Sequence, residues 1–132
     1  VFTEVLEHIA ITSPSLIFQE FRGVLKPQGI LLFSTRNVCN ISNIFALAMG
    51  LKVFWQPEIF YGSTDRHNRE YTPRKSLDII TSNGFTPLDF YGINDHANWR
   101  FGTAEAIYRF LPTNVLRHSL LRNTIIGAFS RM

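Results

Sequence analysis

The stretch LKPQGILLFST, Leu25 to Thr35, constrains this chain more than any other. Pro27 cannot continue a helix and Gly29 suits a helix stop, so the residues before them must end there. The seven residues after Lys26-Pro27-Gln28, from Gly29 to Thr35, form an apolar run too short for a typical helix. Such a run suits a strand covered on both faces, as in a parallel sheet. Upstream, Ser13 is placed to cap a helix and Pro14 to occupy its first turn. Ile17, Phe21, Val24 and Leu25 recur at i, i+4, i+7 and i+8, which makes one apolar face. Lys26 then meets the negative end of the helix.

The rest of the chain alternates in the same way. Val1 to Thr3 reads as the end of a strand, and Glu4 to Ala10 as a helical turn or a loop. Asn37 to Trp55 has a helical pattern with weak punctuation, and Gln56 to Glu70 reads as a long loop. Thr72 caps a second well-marked helix that starts at Pro73, turns Leu77 and Ile80 inward and stops at Gly84. Phe85 to Ile93 is expected to be a strand, with Pro87 near its start. Thr103 to Leu111 and Asn114 to Leu121 read as short helices separated at Pro112, and Asn123 to Arg131 as a final strand. Alternation of this kind predicts an α/β layered fold with a mainly parallel sheet. Ligands bind such sheets outside the carboxyl ends of the strands. Both Glu4 to His8 and Thr35 to Asn37 fall at such ends.

Composition narrows the function classes. The chain has 132 residues, enough for one domain with its own core, and 45% hydrophobic against 17% charged residues argues for order. Twelve phenylalanines imply an aromatic core or cleft. A net charge of +3 is too mild for nucleic-acid binding without a clustered basic surface. The nearest cluster, Arg66, Arg69, Arg74 and Lys75, is interrupted by Asp65 and Glu70, and reads as a solvated loop before a phosphate contact. The single Cys39 excludes an internal disulfide and a cysteine-based zinc site, which points to a reduced, cytoplasmic setting. The apolar segment Asn43 to Trp55 is shorter than the roughly 20 residues that span a bilayer. It reads as a buried or cleft-covering helix, with peripheral membrane contact as the alternative. His118 lies among leucines in a segment read as an amphipathic helix facing the sheet.

Three segments together, EVLEHI, FQEFRGVLKPQGILLFSTRN and RHNREYTPRKSLDIITSNGF, resemble the C-terminal half of class I S-adenosylmethionine-dependent methyltransferases. The branch they are most similar to includes the ubiquinone-biosynthesis O-methyltransferases, and the resemblance runs from Val1 to about Tyr91. It implies that Val1 to Thr3 end a fourth strand and that Gly29 to Thr35 form the fifth. Phe85 to Ile93 and Asn123 to Arg131 would be the sixth and seventh, the last antiparallel to its neighbours. It also implies that residues 1–132 are a partial methyltransferase domain whose N-terminal cofactor-binding half precedes Val1. No two glycines here are closer than Gly23 and Gly29, so the chain has no GxGxxG loop. Thr3, Glu4 and Val5 would then supply only one wall for S-adenosylmethionine, and the fragment alone would bind it poorly and be inactive.

Glu4, Glu7 and His8 stand at i, i+3 and i+4, so a helical turn would place all three on one side. Two carboxylates and an imidazole suit Mg2+ or Mn2+ better than a structural Zn2+. The E-x-x-E-H pattern resembles the metal-binding segment of the ubiquinone-pathway enzymes and of small-RNA 2′-O-methyltransferases. His67 falls where those families place a further histidine. The resemblance therefore implies a metal set of Glu4, Glu7, His8 and His67. A second reading makes His8 or His67 a general base or acceptor ligand without metal, and a third gives these residues structural roles. Tyr71 is expected to pack beneath the helix that follows it, and His96, Trp99 and Arg100 to lie in a surface loop. The expected function is methyl transfer to an oxygen of a small-molecule, lipid-linked or glycan acceptor. The alternatives are a non-catalytic half-domain that pairs with another chain, and an RNA 2′-O-methyltransferase.

Overall fold

Secondary structure in the computed structural model starts and stops where the punctuation requires. The structure describes residues 1–9, 12–51, 69–93 and 122–132. In chain order its elements are β1 (Phe2–Thr3), a 3-10 turn (Leu6–His8), α1 (Pro14–Val24), β2 (Ile30–Arg36), α2 (Ile41–Ala48), α3 (Pro73–Ser82), β3 (Phe85–Ile93) and β4 (Thr124–Arg131). The expected helices over Thr103–Leu111 and Asn114–Leu121 lie outside the described residues, as do His67, His96, Trp99, Arg100 and His118.

The four strands form one sheet in the order β1-β2-β4-β3. β1 pairs parallel with β2, and β4 runs antiparallel to both β2 and β3. Three strands therefore point one way and β4 the other. The result is a mixed sheet flanked by helices. Pro87 cannot donate to the ladder, so β3 carries a bulge between Pro87 and Asp89 at the edge of the sheet.

The core lies on one face. Along β2, Leu31, Phe33 and Thr35 are buried and pair with Phe129, Gly127 and Ile125 of β4. Helices α1 and α3 cover this face with Phe18 and Ile80, both fully buried. Phe2, Phe18, Phe21, Phe33, Phe85, Phe90 and Phe129 form a chain of mostly edge-to-face contacts, with ring centroids 4.9–6.5 Å apart. Such pairs each add about 0.5–1.5 kcal/mol beyond area burial. Gly127 is required here, because a Cβ would stand 2.6 Å from the Phe129 ring and 3.0 Å from that of Phe90.

Several expectations change. The run of β2 is buried throughout on one face only: on the other, Ile30 and Leu32 are exposed and only Ser34, at the carboxyl end, is buried. In α1, Phe18 is the buried residue, and Ile17, Phe21 and Leu25 pack beside it. Val24, placed on that face by its spacing, is 79% exposed, because it lies about 120° around the helix from the buried Phe18. Ser13 occupies the cap position of α1 without a side-chain bond, and its carbonyl takes the amides of Leu16 and Ile17 instead. Thr72 caps α3 as expected, accepting from the Lys75 amide. The helix expected from Asn37 shortens to Ile41–Ala48, because Asn40 caps it by accepting from the Asn43 amide. Lys52 to Trp55 lie outside the described residues.

Candidate functional site

The site is built where β1 and β2 end side by side. Phe2 pairs with Phe33 and Thr3 with Ser34, so the residues after Thr3 are delivered beside Thr35 and Arg36. Glu4 turns the chain with a positive φ of 53° and donates its amide to the Ser34 carbonyl at 3.1 Å. That left-handed residue keeps Glu4 out of the following turn. The three-residue 3-10 turn, Leu6–His8, replaces the α-turn that would have gathered Glu4, Glu7 and His8.

The two carboxylates consequently go to different partners. Glu4 Oε1 accepts from Ser34 Oγ at 2.8 Å, and its Oε2 meets Arg36 Nε at 3.0 Å. Glu7 is 1% exposed; its Oε2 accepts from Thr35 Oγ1 at 2.9 Å, while Oε1 has no hydrogen-bond partner among the described residues. His8 is half-buried, Thr3 is exposed, and Val5 is exposed beside the cap of the turn. Among the described residues no three His, Cys, Asp or Glu side chains gather as a metal ion would need, and His67 lies outside them.

A third segment closes the wall. The Arg69 amide donates to the Glu7 carbonyl at 3.2 Å, and Tyr71 forms a parallel bridge with Asn37. Val38 donates its amide to the Tyr71 carbonyl at 3.0 Å. Tyr71 packs in the core cluster with Leu6 and Phe33, beneath α3 as expected. Burial pushes its phenol pKa above the usual value; an Arg69 N–H that leans toward the hydroxyl opposes this, and the charge of Glu7 adds to the rise. Apart from Arg69, the Tyr71 hydroxyl has no hydrogen-bond partner among the described residues.

Asn37 ties these segments to β4, a role that sequence reasoning missed. Its side chain donates to the Arg122 carbonyl at 2.7 Å and accepts from the Cys39 amide at 2.9 Å. Its own amide donates to the Asn123 carbonyl at 2.9 Å. Asn40 Nδ2 in turn donates to the Asn37 carbonyl at 2.8 Å. No spacing could announce this, because the Asn37–Arg122 contact joins residues 85 apart in sequence.

The arrangement offers an exposed rim of Thr3 and Val5, an ion pair between Glu4 and Arg36, and a buried polar layer of Glu7, Thr35, Asn37 and Tyr71. The rim can face a bound molecule while the layer beneath fixes its shape. None of the described helices is long and apolar enough to cross a membrane.

No known family profile and no curated protein matches this sequence. Solved structures do match. One is a Listeria monocytogenes protein provisionally assigned as an S-adenosylmethionine-dependent methyltransferase, at 14% identity and a TM-score of 0.55, covering 100% of this chain and 60% of that one. Another is an S-adenosylmethionine-dependent methyltransferase from Mesorhizobium loti, at 12% identity and a TM-score of 0.49, covering 98% of this chain and 60% of that one. The chain thus spans about 60% of the length of the solved structures it matches. Its fold is class I S-adenosylmethionine-dependent methyltransferase-like, as the likeness to the Listeria protein shows.

Proposed function

We propose that this chain is the acceptor-side part of an S-adenosylmethionine-dependent methyltransferase domain that methylates an oxygen of a small-molecule, lipid-linked or glycan acceptor. The observation that carries the reading is the sheet itself. The order β1-β2-β4-β3, with only β4 reversed, sets a polar cluster at the carboxyl ends of β1 and β2. Ligands of open α/β sheets bind at such ends.

The exposed Thr3 and Val5, with Glu4 between them, fit one wall of a cofactor pocket. When bound, S-adenosylmethionine supplies an electrophilic methyl group on a sulfonium. The residues of this chain position the partners. Arg36 holds Glu4 at a fixed orientation, and Thr35 with Glu7 fixes the turn that carries His8. On this reading His8 takes the acceptor's hydroxyl proton, a role supported by its half-burial at the end of that turn.

The test uses the native protein at its full length. Incubation with methyl-tritiated S-adenosylmethionine and a panel of hydroxylated acceptors is expected to label at least one acceptor, and His8→Gln to lower that labelling by about 100-fold, the size of a general-base contribution. Labelling of nitrogen or carbon acceptors alone would overturn oxygen transfer. Full labelling by H8Q would remove His8 from the reaction.

A further inference from the structure

Two buried polar atoms at the carboxyl-end cluster are unmet, and their chemistry is complementary. Glu7 Oε1 belongs to a side chain 1% exposed whose other oxygen is already held by Thr35. As a carboxylate oxygen it can only accept. The Tyr71 hydroxyl is also buried, and among the described residues its one hydrogen-bonding contact is from the Arg69 side chain, so its own hydrogen has no acceptor there. Its neighbour Arg69 presents N–H groups, which can only donate, so any contact from that side uses a phenol lone pair and leaves the phenol hydrogen to point elsewhere.

Placement puts the two in one buried layer, where the charge of Glu7 is felt at the Tyr71 phenol. Thr35 and Asn37 are two residues apart along the end of β2, so their side chains share a face. Glu7 is bonded to Thr35, and Tyr71 is bridged in parallel to Asn37. The Arg69 amide closes the loop on the Glu7 carbonyl. An orphaned acceptor and an orphaned donor in one buried layer are each costly, and buried polar groups in folded proteins are nearly always paired.

We propose that Glu7 Oε1 and the Tyr71 hydroxyl together hold one hydroxyl group, which accepts from Tyr71 and donates to Glu7, making the two a positioning pair that locks residues 69–71 against the turn after β1. The group comes either from an enclosed water or from a bound ligand. In either case the pair sets where the rim residues Thr3 to Val5 and His8 stand, without itself touching the reacting atoms. This lock belongs to the internal wall of the cluster and stands whether or not methyl transfer is the reaction.

Nuclear magnetic resonance on the full-length native protein with labelled tyrosine tests it. The Tyr71 hydroxyl proton should appear in slow exchange with solvent, vanish in Tyr71→Phe, and shift in Glu7→Gln. A cross-peak from that proton to water identifies the water source. Its absence in the free protein, with slow exchange gained on adding S-adenosylmethionine or catechol as probes, identifies the ligand source. Hydrogen exchange supplies the second readout. In Y71F the amides of Arg69 and Val38 should exchange about tenfold faster, the change expected when one buried hydrogen bond is lost from a local opening unit. Amides of Phe33 and Phe129 should be unchanged. The proposal is overturned if the Tyr71 proton exchanges fast with and without both probes, or if E7Q leaves it unmoved. Uniform acceleration of all amides in Y71F would also overturn it, since that reports a general loss of packing. Because Y71F removes one atom from an otherwise retained ring, its folding is expected, and equal dispersion of the Phe33 and Phe129 signals verifies it.

Discussion

The two ends of β2 are held by different balances of backbone and side chain. At its amino end the chain closes on backbone. Gly29 donates to the Lys26 carbonyl at 2.8 Å, Arg131 donates its amide to the Gly29 carbonyl at 2.9 Å, and Met132 donates to the Gly84 carbonyl at 3.0 Å. Gln28 and Gly84 adopt positive φ to make these turns, and an Arg131 guanidinium N–H reaches the Leu25 carbonyl. At the carboxyl end a set of side-chain ties is added to the backbone ones: Ser34 to Glu4, Thr35 to Glu7, Arg36 to Glu4, and Asn37 to Cys39 and Arg122. Closure mainly by backbone, joined by the Arg131 side chain, leaves little chemistry to use. Closure by carboxylates, hydroxyls and an amide places polar groups where a ligand can meet them. The difference is what makes the carboxyl end the candidate site under the proposed function.

Substitutions at the two ends put these modes of closure to the test. The largest effect is expected from Asn37→Ala, which removes two side-chain hydrogen bonds and leaves the Arg122 carbonyl and Cys39 amide to find others. A loss of about 2–3 kcal/mol in denaturant unfolding is expected from the cost of buried bonds. A loss below a few tenths would show that the carboxyl end does not depend on this side chain. Next is Gly84→Ala at the opposite end. There φ is +87° and an added Cβ would stand 2.9 Å from the Arg22 guanidinium. About 1–2 kcal/mol is expected from backbone strain, tempered because the Arg22 side chain can move. Thr72→Ala removes the bond to the Lys75 amide and should cost about 1 kcal/mol by the same unfolding measurement, within the usual range for a helix cap. The smallest effect is expected for Arg74→Ala. Its contact with Asp78, at 3.8 Å, is on the surface, and the unfolding midpoint should hardly move.

Tyr71 gives the contrast a pH signature. Its phenol pKa is raised in the folded protein, so the folded state holds the proton more tightly than the unfolded one. By linkage this contribution is fully present below the unfolded phenol pKa of about 10 and is lost as pH rises through the folded value. Alkaline unfolding followed by circular dichroism should therefore be less steep in Y71F than in the native chain, and equal slopes would contradict the burial of this phenol.

Much of the frame could be read from local chemistry. Pro14 and Pro73 opened helices at the first turn, Thr72 capped, and Gly84 stopped α3 ahead of a strand whose limits, Phe85–Ile93, match the expected ones. The antiparallel course of the last strand followed the family resemblance. Elsewhere local pattern was too coarse. Helical spacing located the buried side of α1 but placed Val24 on it and passed over Phe18, because a stripe read at i and i+4 does not register the i+1 neighbour that lies deepest. Asn40 ended the expected extension of α2 toward Asn37, an asparagine cap being easy to overlook without a proline after it.

The site was legible in position and not in arrangement. Both Glu4–His8 and Thr35–Asn37 lie at strand ends as expected, since strand direction alone places them there. The single positive φ at Glu4 then divided a trio that spacing would have gathered, and sent Glu4 to Arg36 and Glu7 to Thr35. A one-residue backbone choice of this kind has no sequence signature when the residue is a glutamate. The burial of Glu7 and the bracing by Asn37 depend on partners far along the chain, so only the folded arrangement could reveal them.

The most direct test is a chemical-shift titration of the full-length native protein with S-adenosylmethionine. Shifts are expected at Thr3, Glu4 and Val5 and at their neighbours Ser34 to Asn37, with Gly29, Gly84 and Arg131 unmoved. Shifts centred on Gly29, Gly84 and Arg131, or none at saturating cofactor, would contradict a cofactor wall at the carboxyl ends of β1 and β2.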